Sequence, residues 1–141
     1  MIAYVDASVL LRIVLRQSDA LPEWRRIERG VSSALIVTES LRALDRVRRR
    51  ARLPDAEVAG RRAKILEIIS SLELVEIDAV VLDRAAQPMP TDLGTLDAIH
   101  LATALLWKEQ FRVDLTMATY DEALGMAARA HGMPVVGVAH V

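Results

Sequence analysis

The feature that most constrains the fold is a regular alternation of short β-prone runs with longer helical segments. The runs are rich in the branched and apolar residues that strands favour, and each gives way to a turn or a helix start. They cover residues 2–5, 31–36, 73–77, 114–119 and 134–138. Parallel strands need crossover connections, which are usually helices. The alternation therefore predicts an α/β fold with a mainly parallel sheet.

The segments between these runs show helical patterns punctuated by proline and glycine. Pro22 suits the first position of a helix and Gly30 the position after its end, which predicts a helix over 22–29. Pro54 closes one helix and opens the next, and Gly132 caps the last one. The predicted helices cover residues 8–15, 22–29, 38–52, 54–72, 80–87, 95–110 and 121–130. Residues 88–94 are rich in breakers, which predicts a loop.

Length and composition indicate one compact domain spanning 1–141. The chain has 141 residues, of which 52% are hydrophobic, so such a domain buries roughly two thirds of its unfolded surface. We find no repeats and no linker. The N-terminus lacks a basic leader followed by a long apolar stretch, and no apolar run is long enough to span a bilayer. We therefore expect a soluble, cytoplasmic protein with no membrane segment.

Four acidic residues are predicted to lie near the carboxyl ends of the strands, where ligands bind in open parallel sheets. Asp6 follows the first strand, Glu39 and Asp97 lie in the first turns of helices, and Asp121 follows the strand that ends near Thr119. Each acid alone is better explained by helix capping or by the helix dipole. Together they would repel one another unless a cation neutralised them.

The available donors narrow the choice of cation. The chain has no cysteine and three histidines, so a thiolate site and a disulfide are both excluded. Three or four carboxylates without sulfur suit a hard ion such as Mg²⁺ or Mn²⁺.

The helix predicted over 95–110 is almost entirely apolar or small, so we expect it to be enclosed. Asp97, His100, Leu101 and Ala104 share one of its faces, and a buried aspartate needs a partner. His100, one turn on, is interpreted as that partner, as a group supporting the metal ligands, or as a satisfied core histidine. The core interpretation is favoured, and direct metal ligation by His100 is the least favoured.

Basic residues crowd one segment, although the formal net charge is only −1. Arg42, Arg46 and Arg49 are candidates for contact with a nucleic-acid backbone, because clustered cations follow phosphates. A solvated helix face explains the same cluster equally well. Arginine also outnumbers lysine throughout the chain, so the excess can reflect genome composition.

Four stretches together resemble the PIN-domain family, and above all the toxin ribonucleases of bacterial VapBC toxin–antitoxin pairs. They read "YVDASVLL", "VTESLRAL", "TLDAIHLATAL" and "LTMATYDEALGMAARAHGMPVV". The stretches span nearly the whole chain in the family's order, and the third, "TLDAIHLATAL", is the most specific.

The resemblance implies a three-layer α/β/α fold and a Mg²⁺- or Mn²⁺-dependent endoribonuclease. The family's acidic quartet falls on Asp6, Glu39, Asp97 and Asp121, with Asp6 and Asp97 as the principal metal ligands. Ser8 and Thr119 fall on polar positions that support the ligands by hydrogen bonds. The resemblance also implies that the protein forms a homodimer. It further implies a cognate VapB-type antitoxin whose C-terminal segment lies across the active-site groove. Gly94-Thr95 stands where many relatives carry an arginine, and the fourth acid is the family's most variable.

Two other interpretations remain open. A phosphate-handling protein of the response-regulator or haloacid-dehalogenase type also has an aspartate after its first strand. Such sites usually add a neighbouring acid and a late lysine, whereas Asp6 is followed by Ala7-Ser8 and neither Lys64 nor Lys108 lies at a strand end. A catalytically silent PIN-like binding module is the second, and the intact acid set argues against it.

Overall fold

A five-stranded sheet forms the centre of the computed structural model, which describes residues 1–15 and 20–138. Its strands are β1 (Ile2–Val5), β2 (Arg29–Ser33), β3 (Glu73–Val75), β4 (Thr116–Ala118) and β5 (Val135–Val136). They lie in the order β3-β2-β1-β4-β5, and every pairing is parallel. The predicted parallel α/β fold is therefore confirmed.

Helices cover both faces of the sheet. They are α1 (Ala7–Val14), α2 (Leu35–Ala51), α3 (Asp55–Ser70), α4 (Ala79–Ala85), α5 (Thr95–Phe111) and α6 (Glu122–Ala130), with a short 3₁₀ helix at Pro22–Arg26. In residues 1–15 and 20–138, none of them is both long and apolar enough to cross a bilayer.

The alternation of side chains along β1 separates the two cores. Tyr4 points into a core that it shares with α5 and α6, where Leu101 and Leu124 are fully buried. Ala3 and Val5 point to the other face, where Val9 of α1 packs against them. On that side α1, α2 and α3 form a further apolar cluster. The result is the predicted α/β/α three-layer arrangement.

The predicted helix over 22–29 is wrong at its end. The 3₁₀ helix ends at Arg26, and Arg29 and Gly30 already belong to β2, paired with Ile2 and Ala3. Gly30 is not a helix cap. A Cβ at this position would lie 2.6 Å from the Leu72 side chain, so the glycine permits close packing of the strand.

The strand predicted over 31–36 also ends early, and α2 begins at Leu35 rather than at Thr38. The Ser33 hydroxyl accepts a hydrogen bond from the Leu35 N–H at 3.1 Å. The Ala34 N–H donates to the Val75 carbonyl at 2.9 Å. Because these bonds turn the chain directly out of the sheet, Glu39 lies one turn inside α2 rather than in its first turn.

Gly137 fixes the end of β5 against the loop that follows β4. Its φ angle is +104°, and a Cβ would lie only 2.2 Å from the Thr119 carbonyl oxygen. The neighbouring Thr119 N–H donates to the Val136 carbonyl at 3.1 Å. Only glycine allows this approach, which places Thr119 at the carboxyl edge beside Asp6.

We predict that Gly137→Ala destabilises the protein by about 3 kcal/mol or more, because it combines left-handed strain with a backbone clash. Gly132→Ala is the matched control, since Gly132 also has a positive φ (+79°) but open space around its Cβ position. We expect it to cost about 1–2 kcal/mol. Urea unfolding of both variants measures the difference. Equal losses would contradict the packing role of Gly137.

Candidate active site

Asp6 is the most firmly held acid at the carboxyl edge of the sheet. It follows β1 directly, is 5% exposed, and is the N-cap of α1. Its Oδ1 accepts from the Ala7 N–H at 2.8 Å, and its Oδ2 accepts from the Ser8 and Thr119 hydroxyls at 2.8 and 2.9 Å. Three donors from two segments therefore fix the orientation of this carboxylate.

The two hydroxyls behind Asp6 are oriented by the backbone. Ser8 Oγ accepts from the Tyr120 N–H at 2.9 Å, and Thr119 Oγ1 accepts from the Asp121 N–H at 2.9 Å. Since each hydroxyl receives an N–H, its own hydrogen is directed towards Asp6. The hydrogen bonds that the resemblance implies for Ser8 and Thr119 are thus present, whereas their support of a metal ligand stays a prediction.

Asp121 and Asp97 both lie at helix starts that face the same space. Asp121 is the N-cap of α6, and its Oδ1 accepts from the Leu124 N–H at 2.9 Å. Asp97 lies in the first turn of α5 and is half-buried. Within the described part of the chain, its carboxylate accepts no hydrogen bond.

The electrostatic environment makes Asp97 hard to ionise. Burial, followed by the charges of Asp121 and Asp6, raises the pKa of Asp97 from 3.8 to about 6. The charge of His100 acts in the opposite direction and is outweighed. Asp97 thus combines partial burial with the nearby charges of other acids.

His100 is fully buried, as the core interpretation predicted, but its partner is not Asp97. Its Nε2 lies 2.5 Å from Glu39 Oε1, and its Nδ1 lies 2.6 Å from the Tyr4 hydroxyl. Burial opposes a charge on the ring, but the hydrogen bond to Glu39 and the nearby acids prevail and raise the pKa of His100.

The contribution of Tyr4 was missed by sequence reasoning. The available signal was a tyrosine in a buried strand two residues before Asp6, because a buried phenol usually needs a hydrogen-bond partner.

The four predicted acids line one cavity of about 480 Å³, together with Ser8. Arg42 and Arg46 lie on the same side of α2 as Glu39 and line it too. Neither arginine makes a hydrogen bond or ion pair within residues 1–15 and 20–138. The third candidate, Arg49, does not line the cavity and is instead paired with Asp45.

The tightest group of potential metal-binding atoms in the described residues belongs to Asp6, Glu39 and His100, which lie within 4.8 Å of one another. Both ring nitrogens of His100 are already hydrogen-bonded, to Glu39 and to Tyr4. The carboxylate oxygens, including those of Asp97 and Asp121 across the cavity, are therefore the better donors for a hard cation.

A family model for the PIN domain matches residues 3–135. The chain belongs to the PIN-domain family. Curated PIN-domain relatives include Ribonuclease VapC46 of Mycobacterium tuberculosis, 40% identical over 137 residues that cover 94% of this chain and 95% of that protein. Ribonuclease VapC35 of the same species is 34% identical and covers 94% of each chain.

Solved structures agree with the PIN-domain fold. VapBC2 from Rickettsia felis, bound to a DNA fragment from its promoter, matches with a TM-score of 0.66 and 11% identity, covering 96% of this chain and 97% of that one. PAE2754 from Pyrobaculum aerophilum matches with a TM-score of 0.55 and 19% identity, covering 96% and 89%. At these identities the likeness concerns the fold alone.

The raised pKa of Asp97 predicts how the stability of the metal-free PIN domain depends on pH. The folded state holds the Asp97 proton more tightly than the unfolded state does, so this group lowers stability as the pH rises from about 4 to about 6. Asp97→Asn should therefore raise Tm above pH 6 in EDTA and leave it nearly unchanged near pH 4.

Thermal unfolding between pH 4 and 8 measures this difference. Asp55→Asn is the matched control, because Asp55 also lies in the first turn of a helix, α3, but is exposed and outside the cavity. It should not reproduce the rise in Tm above pH 6. A wild-type protein more stable than Asp97→Asn at pH 8 would refute the repulsion.

Proposed function

We propose that this chain is a divalent-metal-dependent endoribonuclease and the toxin of a type II toxin–antitoxin pair. The observation that carries the proposal is the convergence of Asp6, Glu39, Asp97 and Asp121 on one cavity that Arg42 and Arg46 also line. Two relatives that match almost the whole chain bear the name ribonuclease. Their identities of 40% and 34% support carrying that activity over to this chain.

The donor set fits Mg²⁺ or Mn²⁺. The carboxylates present only oxygen, which hard divalent ions prefer. Burial contributes most to the raised pKa of Asp97, and the charges of Asp121 and Asp6 raise it further. A cation would offset that negative charge. We assign Asp6 and Asp97 as the principal ligands. Glu39 holds a second ion or orients water, and Asp121 contributes through water.

A divalent ion in such a site polarises the scissile phosphate and makes an attacking water more acidic. The protein's own groups prepare the site. Ser8 and Thr119 keep the Asp6 carboxylate in one orientation. Arg42 and Arg46 offer positive charge to the phosphates on either side of the cleaved bond, which an acidic cavity would otherwise repel.

We also propose that the protein is cytoplasmic, forms a homodimer, and is neutralised by a VapB-type antitoxin that covers the groove. The support for the antitoxin is the fold shared with VapBC2 of Rickettsia felis, whose name denotes a complex. A small reading frame directly upstream of the gene would support the pairing. The protein that it encodes should then co-purify with this chain as a stable complex.

The purified protein should cleave RNA in the presence of Mn²⁺, and EDTA should abolish the cleavage. Asp97→Asn should lower the rate by at least about 100-fold, because losing a ligand costs more than losing a group that supports one. Asp55→Asn is again the control and should retain full activity.

Two outcomes would contradict the assignment. Cleavage that survives Asp97→Asn points to a contaminating nuclease. RNA binding without cleavage at any Mn²⁺ concentration favours the catalytically silent binding module.

The arginines that line the cavity should contribute to RNA affinity, unlike those farther along α2. Replacing both Arg42 and Arg46 by Gln should weaken binding and reduce the slope of log K against log salt by about 1.4 for a single strand. The matched control replaces Arg48 and Arg49 by Gln, both of which pair with Asp45. Fluorescence anisotropy across a salt series measures the slopes, and equal effects would restore the solvated-face interpretation.

A further inference from the structure

We propose that Tyr4 and His100 are positioning residues that hold the Glu39 carboxylate in its metal-binding orientation. The proposal rests on the function proposed above and adds a buried chain of hydrogen bonds to it. The chain runs from the backbone of β2 through Tyr4 on β1 and His100 on α5 to Glu39 on α2. We call this chain the Tyr–His–Glu relay.

The geometry of the relay is close at every step. The Ser33 N–H donates to the Tyr4 hydroxyl oxygen at 3.0 Å, and that hydroxyl lies 2.6 Å from His100 Nδ1. Nε2 of the same ring lies 2.5 Å from Glu39 Oε1. Tyr4 and His100 are both 0% exposed, so water does not compete for these bonds.

The direction of the hydrogen bonds follows from the last acceptor. A carboxylate accepts hydrogen bonds and does not donate them, so the contact with Glu39 Oε1 requires a hydrogen on Nε2 of His100. In a neutral ring, Nδ1 is then the acceptor and receives the Tyr4 hydroxyl hydrogen. In a protonated ring, Nδ1 also carries a hydrogen and donates to the Tyr4 oxygen. In both states His100 donates to the Glu39 carboxylate.

Glu39 depends on a side-chain partner, unlike Asp6 and Asp121. Asp6 and Asp121 each receive backbone N–H groups at helix starts, whereas Glu39 lies inside α2, where the backbone N–H groups are used by the helix. Its longer side chain has more rotamers to lose on ordering. One hydrogen bond from a fully buried ring restricts it.

The His100 ring also lies near a second acid of the cavity. Its Nε2 is 3.9 Å from Asp6 Oδ1 while it contacts Glu39. The ring thus lies against both carboxylates and links α2 to the end of β1.

The arrangement itself is testable in the metal-free protein by proton NMR. We expect a slowly exchanging, low-field signal from the His100 Nε2–H, identified by its loss in His100→Leu. Glu39→Ala should remove or shift it strongly. A wild-type spectrum without the signal, or a signal unaffected by Glu39→Ala, would overturn the relay.

The role of the Tyr–His–Glu relay in metal binding is testable by calorimetric titration of RNA-free protein with Mn²⁺. Tyr4→Phe removes one hydroxyl, and His100→Leu removes both ring nitrogens at similar volume. Each should weaken Mn²⁺ binding by about 10–100-fold, the usual effect of losing a group that orients a ligand. His100→Gln should retain more affinity than His100→Leu, because its amide N–H can still donate to Glu39.

The matched control is Thr103→Val, which removes a buried hydroxyl one turn farther along α5. Thr103 is 1% exposed and donates to the Ile99 carbonyl at 2.7 Å, away from the acids. Its Mn²⁺ affinity should equal that of the wild type. If Tyr4→Phe and His100→Leu lower Tm but leave Mn²⁺ affinity unchanged, their role is structural and the proposal fails.

A double-mutant cycle separates positioning from direct ligation by His100. If His100 acts through Glu39, adding His100→Leu to Glu39→Ala, which removes the acceptor as well as the ligand, should cause little further loss of Mn²⁺ affinity. Additive losses would mean that His100 binds the metal itself and would overturn the relay. A wild-type protein that binds no Mn²⁺ would instead refute the proposed function, and the relay's role with it.

Discussion

Repulsion among carboxylates that share one cavity is the constraint on which the rest of this structure depends. Asp6, Glu39, Asp97 and Asp121 reach it from four separate segments. The fold offsets this repulsion by a separate favourable interaction at each acid. Asp6 and Asp121 accept N–H groups at helix starts, Asp97 lies near the positive end of the α5 dipole, and Glu39 receives a hydrogen bond. The pKa of Asp97 still rises to about 6, first through burial and then through the charges of Asp121 and Asp6. The proposed cation would offset the part that is due to charge.

A parallel sheet is well suited to holding such a cluster. All its strands end at one edge, so polar groups from distant parts of the chain arrive there together while the apolar layers exclude water below. Thr119 at the end of β4 reaches Asp6 at the end of β1, and its backbone is fixed in turn by the end of β5. Stability gained in the apolar core offsets the destabilising charge at the edge, as functional sites commonly require.

The sequence predicted what depends on local patterns and on the geometry of parallel strands. Acids near the carboxyl ends of parallel strands converge on one edge of the sheet, which is why the four predicted acids line one cavity. The helix over 22–29 was wrong because Gly30 serves packing against Leu72 rather than helix termination. The interpretation of His100 as the partner of Asp97, which was one of three left open, does not hold. Helical periodicity identifies Asp97 as a neighbour on α5, but nothing local predicts Glu39, 61 positions away on another helix.

The position of β1 in the middle of the sheet has a consequence for when the site exists. Its neighbours are β2, which follows soon in the chain, and β4, which follows only after α5. Until the ribosome has added β4 and α6, Asp6 lacks its bond from Thr119, and Asp121 is missing. The four carboxylates and the hydroxyls that orient Asp6 are therefore together only when nearly the whole chain has been synthesised and folded.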